Sequence, residues 1–137
     1  MNNNINGIIF PLRLKGLSMR AAPAVERKAQ EYTDEAGRSP FKDWLISLKD
    51  NRARAKITKA VTQMEAGNFG DHKSIANGRG LCERRINFGP GYRIYYITEG
   101  DELIILFAGS DKAEQQKVIG AAKDYLADYK ARKVGES

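Results

Sequence analysis

Cysteine and histidine each occur once, as Cys82 and His72. A lone thiol excludes an internal disulfide, and a single imidazole leaves a structural zinc site or a histidine-based nucleophilic triad little to draw on. No metal or cofactor site is read from the sequence, and the reducing cytoplasm is the expected compartment. Long apolar runs are also absent. Nothing approaches the ~18 residues of a membrane span, and the early "GIIFPLRLKGL" is broken by Pro11, Arg13 and Lys15. A soluble, non-secreted chain with no membrane partner is expected. The 137 residues, 42% of them hydrophobic, suffice for one core and fall short of two typical domains of roughly 100 to 200 residues each.

Acids are missing from residues 1–23, which hold Arg13, Lys15 and Arg20. Taking these three from the 23 Lys and Arg leaves 20 bases against 17 acids, so the net +6 shrinks to +3 for the rest. That is too mild for a polycationic body, and any nucleic-acid contact must rest on a local patch. Residues 73–93 supply one: Lys73, Arg79, Arg84, Arg85 and Arg93 against Glu83 alone.

Residues 1–22 are Asn-rich, broken by Gly and Pro and without a sustained period, which reads as an extension ahead of a domain over 23–137. Lys15 and Gly16 can be encoded by purine-rich codons two codons before Met19, as in a ribosome-binding site, so Met19 is a candidate native start. After a weakly alternating edge strand in "AVERKAQEYT", Ser39-Pro40 signals a helix start, since serine accepts an orphan N–H and proline has no donor to waste. Phe41, Trp44, Leu45 and Leu48 then follow at helical spacing. A second helix is predicted over 52–66, with Ala53, Ile57, Ala60, Val61 and Met64 inward and Gly67 as its terminator. The two should form an antiparallel hairpin. Arg52, Arg54, Lys56 and Lys59 on its outer side are either a solvated face or a contact for nucleic acid or a partner.

Past the loop "GNFGDHKSIANGRG", strands are predicted over 81–88, 92–98 and 103–108, the last apolar on both phases as for a strand covered on both faces. A final helix over 113–132 completes an α+β order of β-α-α-β-β-β-α with a small antiparallel sheet.

The stretch "INFGPGYRIYY" decides which residues share a face. With Gly89-Pro90-Gly91 as a three-residue loop, Asn87 would oppose Arg93, and Arg85 would oppose Tyr95. Alternation then gathers Glu83, Arg85, Asn87, Arg93 and Tyr95 on one face and Ile86, Phe88, Tyr92, Ile94 and Tyr96 on the other. Arg85 and Arg93, as diagonal neighbours, need an anion between them: Glu83 from within, or a phosphate, which guanidinium binds in bidentate fashion. Arg84 falls on the apolar face and would have to reach solvent at the sheet margin along its stem. A one-residue slip would exchange these faces. In "GSDKAEQQ", Asp111 and Glu114 resemble a capping box, which would put Lys112 in the first turn, where the helix dipole disfavours a cation unless an anion is near.

"SPFKDWLISLKD", "GNFGDHK", "ERRINFGPGYRIYY" and "AGSDKAEQQ", in this order and spacing, resemble the addiction-module killer proteins, the HigB-like, phage-protein-like branch of the RelE/ParE toxin superfamily. The resemblance spans about residues 25–129. Where the family has Glu-Leu-Arg-Ile this chain has Glu83, Arg84, Arg85 and Ile86. Where the family has Gly-Gly-Asp-Lys it has Ala108-Gly109 followed by Ser110, Asp111 and Lys112.

The resemblance implies a RelE/ParE-like sheet with two helices on one side and a type II toxin paired with an antitoxin, often one carrying a helix-turn-helix domain, the complex binding operator DNA. It also implies action on messenger RNA at the ribosome, as in RelE-like relatives, or on DNA gyrase without RNA cleavage, as in ParE-like ones. Arg85, Arg93 and Lys112 match the family's basic positions. Tyr95 joins them through the hairpin pairing, and Lys73, Arg79, Arg84 and Asn87 are the expected RNA contacts. For RNA cleavage, Arg85 and Arg93 would stabilise the phosphorane, and Lys112 or Tyr95 would move protons. Both residue types ordinarily titrate near pH ~10, so a helper environment, such as ribosomal RNA, would be required. His72 is an outside candidate for proton transfer. The alternatives are a non-nuclease inhibitor of gyrase or another protein, or an inactive relative retaining antitoxin binding.

Overall fold

The computed structural model describes residues 26–135; the extension over 1–22 and the candidate start at Met19 lie outside them. Among the described residues the chain forms β1 (Lys28–Glu31), α1 (Pro40–Ser47), α2 (Asn51–Glu65), β2 (His72–Ser74), β3 (Cys82–Ile86), β4 (Tyr92–Glu99), β5 (Leu103–Asp111) and α3 (Gln115–Gly135). It is an α+β arrangement of five strands in the order β1-β5-β4-β3-β2. The sheet is mixed, where an antiparallel one was expected, because β1 runs parallel to β5 at the edge. The short strand β2, expected as loop, pairs antiparallel with β3.

Local chemistry sets the helix ends. Ser39 accepts from the Lys42 N–H with Pro40 at the first helical position, and Asp50 accepts from the N–H groups of Arg52 and Ala53 to start α2. Each cap satisfies donors that no intrahelical carbonyl can reach. Gly67, at φ +93, follows the end of α2 in the left-handed conformation expected of a terminator.

The sheet is covered on both faces. Phe41 of α1 and Ala53, Ile57, Ala60 and Met64 of α2 pack on Tyr92, Ile94, Tyr96, Ile104 and Leu106. On the other face Ala122 and Leu126 of α3 pack among Tyr95, Ile97, Ile105 and Phe107. β5, flanked by β1 and β4, therefore buries both of its phases, as its continuous apolar run predicts. A bulge at Phe107, where Tyr95 opposes Ala108 and Tyr96 opposes Leu106, absorbs the one residue by which the two strands differ. The edge strand β1 is shielded from further pairing by α2: Ala29 N–H donates to the Glu65 carboxylate and Arg27 N–H to the Glu65 carbonyl. No helix among the described residues is long and apolar enough to cross a membrane.

Gly109 on β5 lies directly under the ring of Trp44, so close that a Cβ there would fall inside the indole. This glycine serves packing. Gly109→Ala should cost about 1–3 kcal/mol in chemical denaturation, as an overpacked site does. Gly120→Ala in α3, where a Cβ meets open space, should instead stabilise by about 0.5–1 kcal/mol.

Candidate phosphate-binding cleft

The hairpin of β3 and β4 pairs Arg85 with Arg93, Glu83 with Tyr95 and Ile86 with Tyr92. The pairing differs by two residues from the three-residue-loop expectation. Residues 87–91 form the connection, with Gly89 at φ +55 and Gly91 at φ +83, and the Gly91 N–H bonds to the Phe88 carbonyl. A shift of two preserves face parity. Glu83, Arg85, Arg93 and Tyr95 accordingly share the α3 side, while Tyr92, Ile94 and Tyr96 enter the core beneath α1 and α2. Arg85 and Arg93 are direct cross-strand neighbours where diagonal ones were expected.

Two guanidiniums at that separation repel unless a negative charge joins them. Glu83 supplies it. Its carboxylate is fully buried, with Oε2 3.9 Å from Arg85 Nη1 and 3.9 Å from Arg93 Nε. Its Oε1 accepts from Gln115 Nε2 at 3.2 Å, tying the floor of the site to the start of α3. Beside it the Tyr95 hydroxyl meets Ser110 Oγ at 2.9 Å in a second buried polar contact.

A second carboxylate holds Arg85 from outside: Arg85 Nη2 donates to Asp71 Oδ1 at 2.9 Å. That hydrogen bond is the main reason the Asp71 carboxyl titrates below the ordinary aspartate range and the Arg85 guanidinium above its own.

An open cleft of about 330 Å³ brings together Asp71, Arg85, Asn87, Gly91, Arg93 and Lys112. Four residues singled out from the sequence, Arg85, Asn87, Arg93 and Lys112, thus meet at the hairpin tip. Lys112 gets there differently from the expectation. Asp111 Oδ1 does accept from the Glu114 N–H, but α3 begins only at Gln115. Lys112 therefore occupies the turn between β5 and α3, outside the first helical turn, and packs beside Gly91.

The remaining candidates lie elsewhere. Tyr95 is on the expected face but fully buried, and burial is the leading cause that pushes its hydroxyl above the ordinary tyrosine value; it cannot touch a ligand in the cleft. Arg84, expected to reach solvent and RNA, is 9% exposed. It donates through Nη2 to Gln63 Oε1 at 3.0 Å, and desolvation lowers its pKa. Gly70, at φ +58, roofs it so tightly that a Cβ would collide with the guanidinium.

Lys73 sits on the exposed edge strand beside a neighbouring groove of about 300 Å³ with Gln115, Gln116 and Lys123. Arg79 occupies a turn near the far end of β4, where its carbonyl accepts from Lys130 Nζ. The His72 backbone opposes Arg84, which puts its side chain on the face away from the arginine pair, and its Nδ1 contacts the Gly70 carbonyl. Sequence reasoning missed Asp71, Gln115 and Ser110. Asp71 stands within the quoted "GNFGDHK", but its role depends on β2, whose three polar residues carry no strand signal.

No family model matches the chain. An uncharacterized protein of Haemophilus influenzae is 45% identical to it over 83 residues, which are 61% of this chain and 82% of that protein.

Substituting the buried carboxylate should expose its role: Glu83→Gln leaves two guanidiniums facing one another and is expected to lower stability by about 1–3 kcal/mol in denaturant titration. For Asp71 the readout is pH dependence. A carboxyl held below its ordinary value contributes stability above that value and loses it as pH falls through the lowered one. A carboxyl-detected NMR titration should therefore place the Asp71 midpoint below the ordinary aspartate range in the parent and return it upward in Arg85→Ala.

Proposed function

We propose, for a chain that belongs to one family with that Haemophilus influenzae protein, the function of a type II toxin of the RelE/ParE superfamily that cleaves messenger RNA on the ribosome. One observation carries the reading: Arg85, Arg93 and Lys112, the positions that match the family's basic residues, line a single open cleft. The α1–α2 hairpin on one face of the sheet agrees with a RelE/ParE-like fold. The HigB-like motifs are the reason to name this branch.

The chemistry follows from the cleft. In-line attack of a ribose 2′-oxygen on the neighbouring phosphorus spreads negative charge over the equatorial oxygens, and fixed guanidiniums aimed there lower the barrier. Arg93 is nearly buried, its side chain 12% exposed and steered by Glu83, so it is preorganised. Arg85, with its side chain 37% exposed, is the more accessible partner. Asn87, on the rim, orients a phosphate or sugar oxygen. Lys112 is the proton-transfer candidate within the cleft, since Tyr95 is buried and His72 is on the other face. A site so short of proton donors and acceptors needs them from its target, which is why ribosomal RNA belongs in the mechanism. Toxicity would be restrained by a cognate antitoxin with a helix-turn-helix domain, the complex binding its own operator.

That same shortage favours one competing reading, a non-nuclease inhibitor of gyrase or another protein, binding through the α1–α2 hairpin with its exposed Ile46. Induced expression separates the two. With the nuclease, Arg93→Ala and Lys112→Ala abolish growth arrest while remaining folded, and transcripts show new 5′ ends at one codon phase, dependent on translation. Intact messages with DNA-damage signalling, or arrest that survives both substitutions, would favour the binding role. Induction of the parent chain with no growth defect would mark an inactive relative.

A further inference from the structure

Asp71 lines the same cleft and has none of the roles above. Its position is built by two contacts to one residue: the Asp71 carbonyl accepts from the Arg85 N–H at 2.7 Å, and its carboxylate accepts from Arg85 Nη2 at 2.9 Å. The preceding loop is fixed as well, with Gly70 in the left-handed region and its N–H bonded to Asn68 Oδ1.

Of the Arg85 donors, Nη2 is the one hydrogen-bonded to a side chain, that of Asp71. Arg85 Nη1 faces the buried Glu83, and its Nε is buried without a hydrogen-bond partner among the described residues. Asp71 thus occupies a donor on the cleft side of Arg85 for which an incoming phosphate would compete.

Charge follows the same pattern. Asp71, Arg85, Glu83 and Arg93 form an alternating row whose charges cancel, which leaves Lys112 as the cleft's uncompensated cation among the described residues. Of the two carboxylates, Glu83 is fully buried and cannot leave, whereas the Asp71 side chain is 63% exposed and can swing into water.

We propose that Asp71 is a built-in competitor for the phosphate position on Arg85, one that turns away a single free phosphate and yields to a strand carrying consecutive phosphates. A tethered carboxylate acts at high effective concentration and outcompetes a dilute anion. A strand that also engages Arg93 and Lys112 has further contacts with which to displace it. The inference rests on reading the cleft as a phosphate site.

Binding of a dye-labelled single-stranded hexaribonucleotide to the full chain, followed by fluorescence anisotropy at fixed ionic strength with inorganic phosphate as competitor, tests it. Asp71→Asn should bind the oligonucleotide about three- to tenfold more tightly, and inorganic phosphate should gain by a similar factor, since both must displace the same carboxylate. Glu114→Gln, which removes the same charge from an exposed residue outside the cleft, should change little, so that the effect is not a gain in net charge. Arg93→Ala should weaken binding. Asp71→Ser supplies an independent variant should Asn disturb the loop.

If Arg93→Ala weakens binding but neither Asp71 variant tightens it beyond Glu114→Gln, the competitor role is overturned and the phosphate site stands. A gain for the oligonucleotide with none for inorganic phosphate would overturn the competition at Arg85. Arg93→Ala binding like the parent would overturn the cleft reading itself, and this inference with it.

Discussion

The Glu83 carboxylate, cut off from water, lies between Arg85 and Arg93 and makes their apposition possible. A buried charge must be neutralised where it stands, and its partners must then stay within reach. Because β3 and β4 oppose the arginines directly, the carboxylate also bridges the two strands. Gln115 fixes its second oxygen and so joins the first turn of α3 to the hairpin. Strand register, helix position and the direction of two guanidiniums are thus one linked arrangement.

Around that link the fold sorts its side chains by parity. Even-numbered residues of β4 from Tyr92 to Tyr96 face the helical hairpin, while Arg93, Tyr95 and Ile97 face α3. α3 begins only at Gln115, so it covers Tyr95 and Ile97 and leaves the hairpin end of the same face open, where the cleft forms. A single sheet face is therefore core at one end and binding surface at the other. Arg84 shows the cost of breaking parity: a cation on the apolar side is accommodated only because Gln63 supplies an acceptor and Gly70 lacks a side chain.

Much of this was legible in the sequence for identifiable reasons. Ser39-Pro40 and the apolar spacing of Ile57, Ala60 and Met64 are local signals, and the local structure obeys them. The faces of the hairpin survived a wrong loop length because parity is unchanged by a two-residue shift. Depth was not legible. Tyr95 and Arg93 share a face, but how far α3 extends over it decides that one is core and the other cleft. β1's parallel pairing and the three-residue β2 were hidden because their partners are remote and their residues mostly polar. Asp111 looked like a helix cap because its carboxylate does bind the Glu114 N–H, one turn before the helix begins.

The parallel edge has a bearing on how the chain is made. β1 starts at Lys28, yet the strand it pairs with, Leu103 to Leu106, is synthesised only after both helices of the hairpin and three further strands. Such long-range pairing slows folding, since a large loop must close before any contact rewards it. During synthesis β4 gains its second neighbour, and Arg93 its place opposite Ser110, only when β5 has emerged. Lys112 and the Gln115 that holds Glu83 come later still, so a nascent chain still on its ribosome would carry the arginine pair in an unfinished cleft.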